Sequence, residues 1–529
     1  VEHLKTPAYG DMVRYFERWY VPGNAAIVLA GDVTPEKALP VLERYFGSWK
    51  AKPVEQPAEA EMPALRERKE VVVTAPGEEA VTIAWQTVPA GHSDELALEV
   101  LDLLVDNSST GMVNLDLLLT QKLPKAGSSP EFMNDGGYWQ LRGTAKAGQS
   151  HAQVEALLMG IVGKLKRGEF TQADIDANVV NAEIRAKREE ESRRSRVGKM
   201  AFAFLQRRDW RRVAAKLERM KKVSKADVVR VANRYLGDGR AVILRKRGKT
   251  NLPKIDKPKI TAISVKAGRR SAFAKDIAAM PAAPVAPKFL EAGKDYQLLS
   301  SPDGQLIATP NQVNDLFEVT WVWDAGERAW PLMCTALEVM KSSGVAGMDA
   351  RAFKRKLYAL GTNLSTRCSR DQASITITGI DRNLEESVSL VNTLLAAPSF
   401  EGKLVSDIVG NQISRRADNI GDPRFLASAT AGYALLDKGS RSLIAPSNKL
   451  LKTASGDKVR KLLATLASSK RTTRYFGSRQ ASTVAAATRL GRATGDVPAA
   501  PIQRFRTVTR PTVYVMPQKV AQSNISIYF

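Results

Sequence analysis

Between residues 316 and 380 the spacing of apolar positions changes several times, and each change marks an element. Phe317, Val319, Trp321 and Trp323 alternate with less apolar neighbours, the two-residue period of a half-buried strand. Asp324 to Glu327 turns the chain, after which Leu332, Thr335, Ala336, Val339 and Met340 recur at helical spacing. A second helix is expected from Asp349, whose carboxylate can cap free amides, to Leu360. Its Phe353, Leu357 and Leu360 share one face, and Gly361 ends it. Ser374, Thr376 and Thr378 then alternate with Ile375 and Ile377, with Ile380 just past Gly379, a ribbon that needs a sheet neighbour.

From the N-terminus, Thr6 to Tyr20 reads as a helix with Met12, Phe16 and Tyr20 along one side, and Asn24 to Ala30 as a short strand. Thr34 followed by Pro35 opens a helix that closes at Gly47, and the whole piece has too little core to stand alone. Residues 51–65 are a Pro/Ala/Glu linker. Residues 66–249 carry a complete α+β pattern, with strands at 70–73, 80–86, 138–144 and 241–244 and helices at 93–105, 114–119 and 150–165. A Gly/Ser-rich turn is expected after residue 119. Thr171 with Asp174 and Ser224 with Asp227 are capping boxes, the first opening a long polar helix to about Glu191. Ser192 to Gln206 turns apolar again and is expected to pack inward.

Residues 250–289, rich in proline and lysine, read as an interdomain strap without a regular core. Past them, strands around Tyr296–Leu299 and Leu306–Thr309 flank an Asp303-Gly304 hairpin turn. Helices follow at 384–395, 399–417, 422–435 and 458–466, then a strand at 472–475. Residues 491–510 form a linker, and strands are expected at 513–516 and 525–529.

Composition adds bounds. A chain of 529 residues that is 44% hydrophobic can bury large cores and is expected to divide into domains. Its formal charge of +24 suits nucleic acid, anionic membrane or acidic peptide, and the patterning has to choose among them. The densest basic run, RRDWRRVAAKLERMKK at 207–222, sets its charges around Trp210, Val213, Leu217 and Met220 at core spacing. It is expected to be a solvated helix face, ahead of a wall for acidic peptide and, last, a nucleic-acid patch. Cys334 and Cys368 are too few for a disulfide scaffold; Cys334, in an apolar helix, is expected in the core, and the compartment stays open. The sequence has no apolar run of about 18 residues, so no transmembrane segment is expected. It starts without methionine or a signal-peptide pattern, in mid-pattern, as an internal fragment would.

One candidate for metal chemistry is Thr335-Ala336-Leu337-Glu338-Val339. An inverted zinc-hydrolase helix reads His-x-x-Glu-His, two imidazoles four apart gripping the metal while the carboxylate takes a proton from bound water. Here Glu338 remains, but Thr335 and Val339 stand at the ligand positions. His3, His92 and His151 lie outside any such frame, and none is expected to bind metal. No catalytic, cofactor-binding or metal-ligating residue is therefore assigned to this chain.

Residues 66–249 and 290–490 repeat one order: strand pair, apolar helix, short helix, alternating strand, helix, a run of helices and a final strand. Residues 1–50 resemble the end of the same unit and 511–529 the start of another. Phe16 to Asp32, Leu104 to Leu123, Lys164 to Trp210 and Leu252 to Val265 resemble segments of the pitrilysin/insulinase family of zinc metallopeptidases, in its large bacterial branch. That resemblance implies repeated two-layer α+β domains of the mitochondrial-processing-peptidase-like metallohydrolase fold, with antiparallel or mixed sheets packed by helices. It makes residues 1–50 the remnant of a catalytic first domain, 66–249 a second domain, 290–490 an inactive third domain with Glu338 in the degenerate copy of the zinc motif, and 511–529 the start of a fourth.

The family's zinc ligands and base would precede Val1, and its fourth-domain peptide-anchoring residues would follow Phe529. The resemblance thus implies the non-catalytic portion of a zinc-dependent metalloendopeptidase that encloses unfolded peptides. Zinc is expected in the intact parent and not on this chain, whose expected partners are the missing catalytic N-terminal region and peptide substrates. The alternative is a processing or assembly subunit that binds a peptidase or peptide partner without cutting. Nucleic acid is not an expected partner, and the branch places the parent in the bacterial periplasm or envelope.

Overall fold

The computed structural model describes residues 8–54, 62–146, 148–250, 268–282, 286–301, 303–420, 422–498 and 504–517. It begins with helices α1 (Tyr9–Trp19) and α2 (Pro35–Phe46), neither of which buries a residue. A first body then runs β1 (Lys69–Ala75), β2 (Ala80–Thr87), α3 (Glu95–Val105), a π-helical turn at Asn114–Leu118, β3 (Lys125–Phe132) and β4 (Gly137–Thr144). It continues through α4 (His151–Arg167), α5 (Gln172–Glu191), α6 (Arg193–Leu205), α7 (Trp210–Ala214), α8 (Lys216–Met220), α9 (Lys225–Tyr235) and β5 (Ala241–Arg247).

After α10 (Ala272–Ala279) a second body opens with β6 (Gln297–Ser301), β7 (Gly304–Pro310) and β8 (Leu316–Trp323). It proceeds through α11 (Met333–Lys341), β9 (Gly344–Val345), α12 (Ala350–Ala359), β10 (Asn363–Cys368), β11 (Ala373–Ile380), α13 (Leu384–Ala396) and β12 (Pro398–Ser399). Helices α14 (Gly402–Asn419), α15 (Pro423–Leu436), α16 (Arg441–Ile444), α17 (Asn448–Leu451) and α18 (Gly456–Ser468) lead to β13 (Arg471–Gly477) and α19 (Ala481–Ala487).

The two large sheets share a plan. The first has strand order β1-β5-β2-β4-β3, the second β6-β7-β13-β8-β11-β10. With β7, β13, β8, β11 and β10 set against β1, β5, β2, β4 and β3, every neighbour relation agrees. The pairs β1 with β5 and β7 with β13 are parallel, and the other shared pairs are antiparallel. In each body the last strand enters the interior of its sheet, so the sheet is completed only when the far end of the body returns. The protein is thus an α+β structure of mixed sheets packed by helices.

Paired tryptophans fill the sheet cores. Trp85 and Trp139 face each other in register across β2 and β4 with ring centroids 5.5 Å apart. The buried indoles of Trp321 and Trp323 on β8 donate to the carbonyls of Thr488 (2.8 Å) and Ser469 (3.3 Å), which satisfies their polar edges. Both expected capping boxes close: Thr171 with Asp174 at α5, Ser224 with Asp227 at α9. Asp349 caps α12 through the Ala352 amide at 2.7 Å. In the β6–β7 turn Gly304 has φ +125°, and a Cβ there would overlap the Arg471 carbonyl, so only glycine fits.

Asp102 on α3 is packed against Ser128 of β3 and Trp139 of β4, both of which donate to its Oδ1, at 2.6 and 2.8 Å. Burial outweighs those two bonds and pushes its carboxyl up to about 6.

Several expectations are corrected. Residues 25–30 form no strand; a 3-10 turn at Pro22–Asn24 is followed by chain without a ladder partner, and a strand exists only where a neighbour takes its hydrogen bonds. The Gly/Ser-rich turn after residue 119 is the edge strand β3, whose one-sided pairing tolerates Gly127 and Pro130. Residues 513–516 form no strand, while 525–529, His3 and most of the strap lie outside the described residues. Within the strap, α10 is helical from a Ser271 cap onto the Ala274 amide. Ser192–Gln206 does not pack inward: Ala203 is the only residue buried within α6. Cys334 is not a free core thiol, because α11 sets it 5.2 Å in Cα separation from Cys368 at the end of β10 and the two form a disulfide.

That disulfide closes a loop of sequence separation 34 and ties α11 to the sheet edge. The Cys334→Ser/Cys368→Ser variant should lose about 2–4 kcal/mol of stability. Thermal melts should show reductant lowering the wild type to the variant's midpoint and leaving the variant unmoved; two titratable thiols in unreduced protein would refute the bond.

A pH effect follows from Asp102. Because its folded pKa lies above the ordinary 3.8, the group contributes fully below that value, and the contribution is lost as pH rises through about 6. Asp102→Asn keeps an acceptor for both donors, so at pH 7.5 it should be the more stable protein, by up to about 3 kcal/mol. Denaturant titrations at several pH values should show that gain shrinking toward zero near pH 4; a gain independent of pH would assign it to something other than ionisation.

Candidate functional site

The helix expected to be long and polar, α5, has two apolar stripes. Ile175 and Val179 enter the core of the first body, whereas Val180 and Ile184 lie round the helix and meet Leu316 and Ile380 of the second. At about 100° per residue the two stripes stand some 140° apart, so α5 is gripped from two sides. This two-stripe spacing was the sequence signal for a shared helix, and a search for a single apolar face passes over it.

Polar contacts fix the joint. Glu183 accepts from both terminal nitrogens of Arg382 (3.2 and 2.9 Å) and from Lys187 (2.8 Å), and Lys187 also reaches Asp315 at 2.5 Å. The Arg382 guanidinium, and after it Lys187, hold the Glu183 carboxyl down at about 2 against its own desolvation. From α12 the Tyr358 hydroxyl donates to Asn178 Oδ1 at 2.7 Å, and its carbonyl accepts from Asn181 Nδ2 at 2.8 Å. Arg351 reaches the Leu115 carbonyl (2.7 Å) and Asp116 (3.3 Å), a carboxylate already paired with Lys164. Beside these contacts runs a groove of about 370 Å³ lined by Asn107, Asn181, Arg185, Arg188, Tyr358 and Asn363, among others. Its donors suit binding and positioning of a chain.

The segment Thr335–Val339 lies on α11, which follows β8, the strand corresponding to β2. Thr335 and Val339 are buried, and Thr335 Oγ1 donates to Gln412 Oε1 of α14 at 3.1 Å. Glu338 is on the half-exposed side, paired with Lys341 at 3.1 Å. A buried valine and a hydroxyl already committed to an amide do not fit zinc, and no step is routed through a metal there. His92 Nδ1 accepts from the Asp94 amide (3.0 Å) within its own turn, and His151 Nε2 contacts the Arg245 carbonyl (2.9 Å), which ties the start of α4 to β5. Among the described residues no three His, Cys, Asp or Glu side chains converge as a metal site.

The Peptidase M16 inactive domain matches residues 8–179, from the start of α1 to the middle of α5. A curated relative, the zinc protease PqqE of Helicobacter pylori, is 25% identical over 238 residues, which are 43% of this chain and 52% of that protein. The chain therefore spans about half the length of the curated relative it matches. Among solved structures, pitrilysin superposes with a TM-score of 0.51 at 12% identity, over 91% of this chain and 54% of that one. The periplasmic protease PqqL from Escherichia coli matches with a TM-score of 0.40 at 14% identity, over 96% and 60%. Residues 8–179 thus match an inactive domain of the peptidase M16 family, part of the chain is related in sequence to a zinc protease, and the fold is similar to that of pitrilysin, a likeness consistent with the pitrilysin/insulinase family.

Proposed function

We propose that the chain is the non-catalytic part of a zinc-dependent metalloendopeptidase that encloses unfolded peptides. Residues 66–249 form the domain that buttresses a catalytic region, and residues 290–490 a silent domain that forms the opposing lobe. Residues 1–50 are the end of the catalytic domain, and residues 250–289 and 491–510 are connections. The observation that carries this reading is the repeat of one strand order in both bodies, with Thr335 and Val339 packed where the zinc frame would need two imidazoles. The match to an inactive peptidase domain supports it as well.

The exposed faces of α1 and α2, with Tyr9, Phe16, Leu39 and Tyr45 all in solvent, need a cover, which the remainder of a catalytic domain would supply. The same surfaces would serve the alternative, a subunit that binds a separate peptidase chain. The Cys334–Cys368 disulfide supports a periplasmic or envelope location, where thiols oxidise and stay oxidised.

The chain alone should hold no stoichiometric zinc by elemental analysis and cleave no unfolded peptide. Supplied with a region carrying His-x-x-Glu-His, it should gain both zinc and chelator-sensitive cleavage. One tightly held zinc per unmodified chain, with cleavage that survives repurification, would overturn the reading. Thr335→His/Val339→His should bind zinc weakly at most, because one imidazole would enter an apolar core, the other would displace the Gln412 contact, and a third ligand would still be needed.

A further inference from the structure

The apolar end of α6 faces outward together with an aromatic anchor on the next helix. Phe202, Phe204 and Leu205 are 64%, 47% and 62% exposed, and Trp210, at the start of α7, is 46% exposed although its spacing suggests core. Met133, at the tip of the β3–β4 hairpin, is exposed beside them.

Hydrogen bonds make this one surface. Asn134 Nδ2 donates to the Leu205 carbonyl (3.2 Å), and Gln206 Nε2 to the Phe132 carbonyl (3.5 Å), joining the helix end to the hairpin. The Arg207 amide (φ 51°) donates to Phe204 and the Arg208 amide to Ala203, reversing the chain, and Asp209 caps α7. From behind, Arg208 pairs with Glu95 (2.6 Å) and Lys216 with Glu99 (2.8 Å), both on α3. The segment is anchored by its polar contacts and leaves these apolar side chains in water.

Residues 193–222 hold 12 basic and 2 acidic side chains. Some of those cations are the anchors just named. Arg193, Arg194, Arg207, Arg211, Arg219 and Lys222 make no ion pair among the described residues. Arginine interleaved with exposed aromatics is the composition of binding hot spots, and the surplus charge selects an acidic partner. Phe202 and Phe204 stand two residues apart on a helix, about 200° round it, so they cannot enter one flat lipid surface together.

We propose that the end of α6, the start of α7 and the tip of the β3–β4 hairpin form a docking surface for polypeptide segments that combine acidic and large apolar side chains. The proposal rests on the reading of this chain as part of a peptidase and names the kind of segment that its second domain takes.

The test is a fluorescence-anisotropy titration of the whole chain with a labelled unfolded peptide alternating Glu with Leu and Phe, against the same peptide with Lys for Glu. The acidic peptide should bind at least tenfold tighter, and more weakly as salt is raised. Phe204→Ser/Trp210→Ser should weaken it tenfold or more with the melting temperature unmoved, since both side chains are exposed. Arg207→Glu/Arg211→Glu should shift the preference toward the Lys peptide, which a structural role would not do. Unchanged binding in both variants overturns this proposal while leaving the peptidase reading intact, since that is judged separately by cleavage once the catalytic region is supplied. Failure of the wild type to bind the acidic peptide overturns it too. So does binding of phosphatidylglycerol vesicles that these variants abolish while peptide binding persists, which would assign the surface to membrane.

Discussion

Helix α5 has to satisfy two cores at once, and the geometry of the molecule follows from that constraint. Its first half is held by the apolar interior beneath the first sheet, and its second half puts Ile184 between Leu316 and Ile380 of the second body. A helix is stiff over this length, so fixing both halves fixes the relative placement of the two sheets. Glu183 and Lys187, one turn apart on the same helix, extend the grip with charge. Arg382 approaches Glu183 with both terminal nitrogens, a geometry that sets orientation as well as distance. The groove at this joint is thus built on rigid elements.

The two bodies repeat one plan. Both sheets have a parallel pair inside an otherwise antiparallel arrangement and carry their main helix after the corresponding strand. In α11, Thr335 and Val339 hold packing positions. Val339 is closed within the core, and Thr335 has its hydroxyl engaged by Gln412. Glu338, a half-exposed carboxylate beside Lys341, costs the helix little. The disulfide binds this same helix to β10, so α11 keeps its place by a covalent tie as well as by packing.

The net charge of +24 divides into two uses. Some cations are structural, such as Arg471, which is buried and donates to the carbonyls of Ala467 and Ser469, or Arg208 and Lys216, which hold the segment after α6 against α3. Others stand free in solvent beside exposed aromatics. Only the second group creates a field that a ligand meets, so overall charge by itself says little about binding.

The sequence alone determined the elements whose signals are local. The alternation in β8 and β11, the capping boxes at α5 and α9, the Asp349 cap and the Asp303-Gly304 turn are all legible, because each depends on neighbours within a few residues. It also determined that Thr335 and Val339 cannot stand in for histidines, since that is a matter of side-chain chemistry. The tertiary structure decided what depends on a partner far along the chain. Residues 25–30 lack a strand because no ladder neighbour is present among the described residues, and β3 exists, glycine and proline included, because β4 pairs one edge of it. Cys334 and Cys368 pair because α11 and β10 bring their Cα atoms within 5.2 Å. Trp210 has core-like spacing, and Phe202 and Phe204 lie in an apolar stretch, but spacing and composition state only that a face is apolar. Whether that face meets a core or water is decided by the elements placed against it, and here the polar anchors to α3 turn it outward.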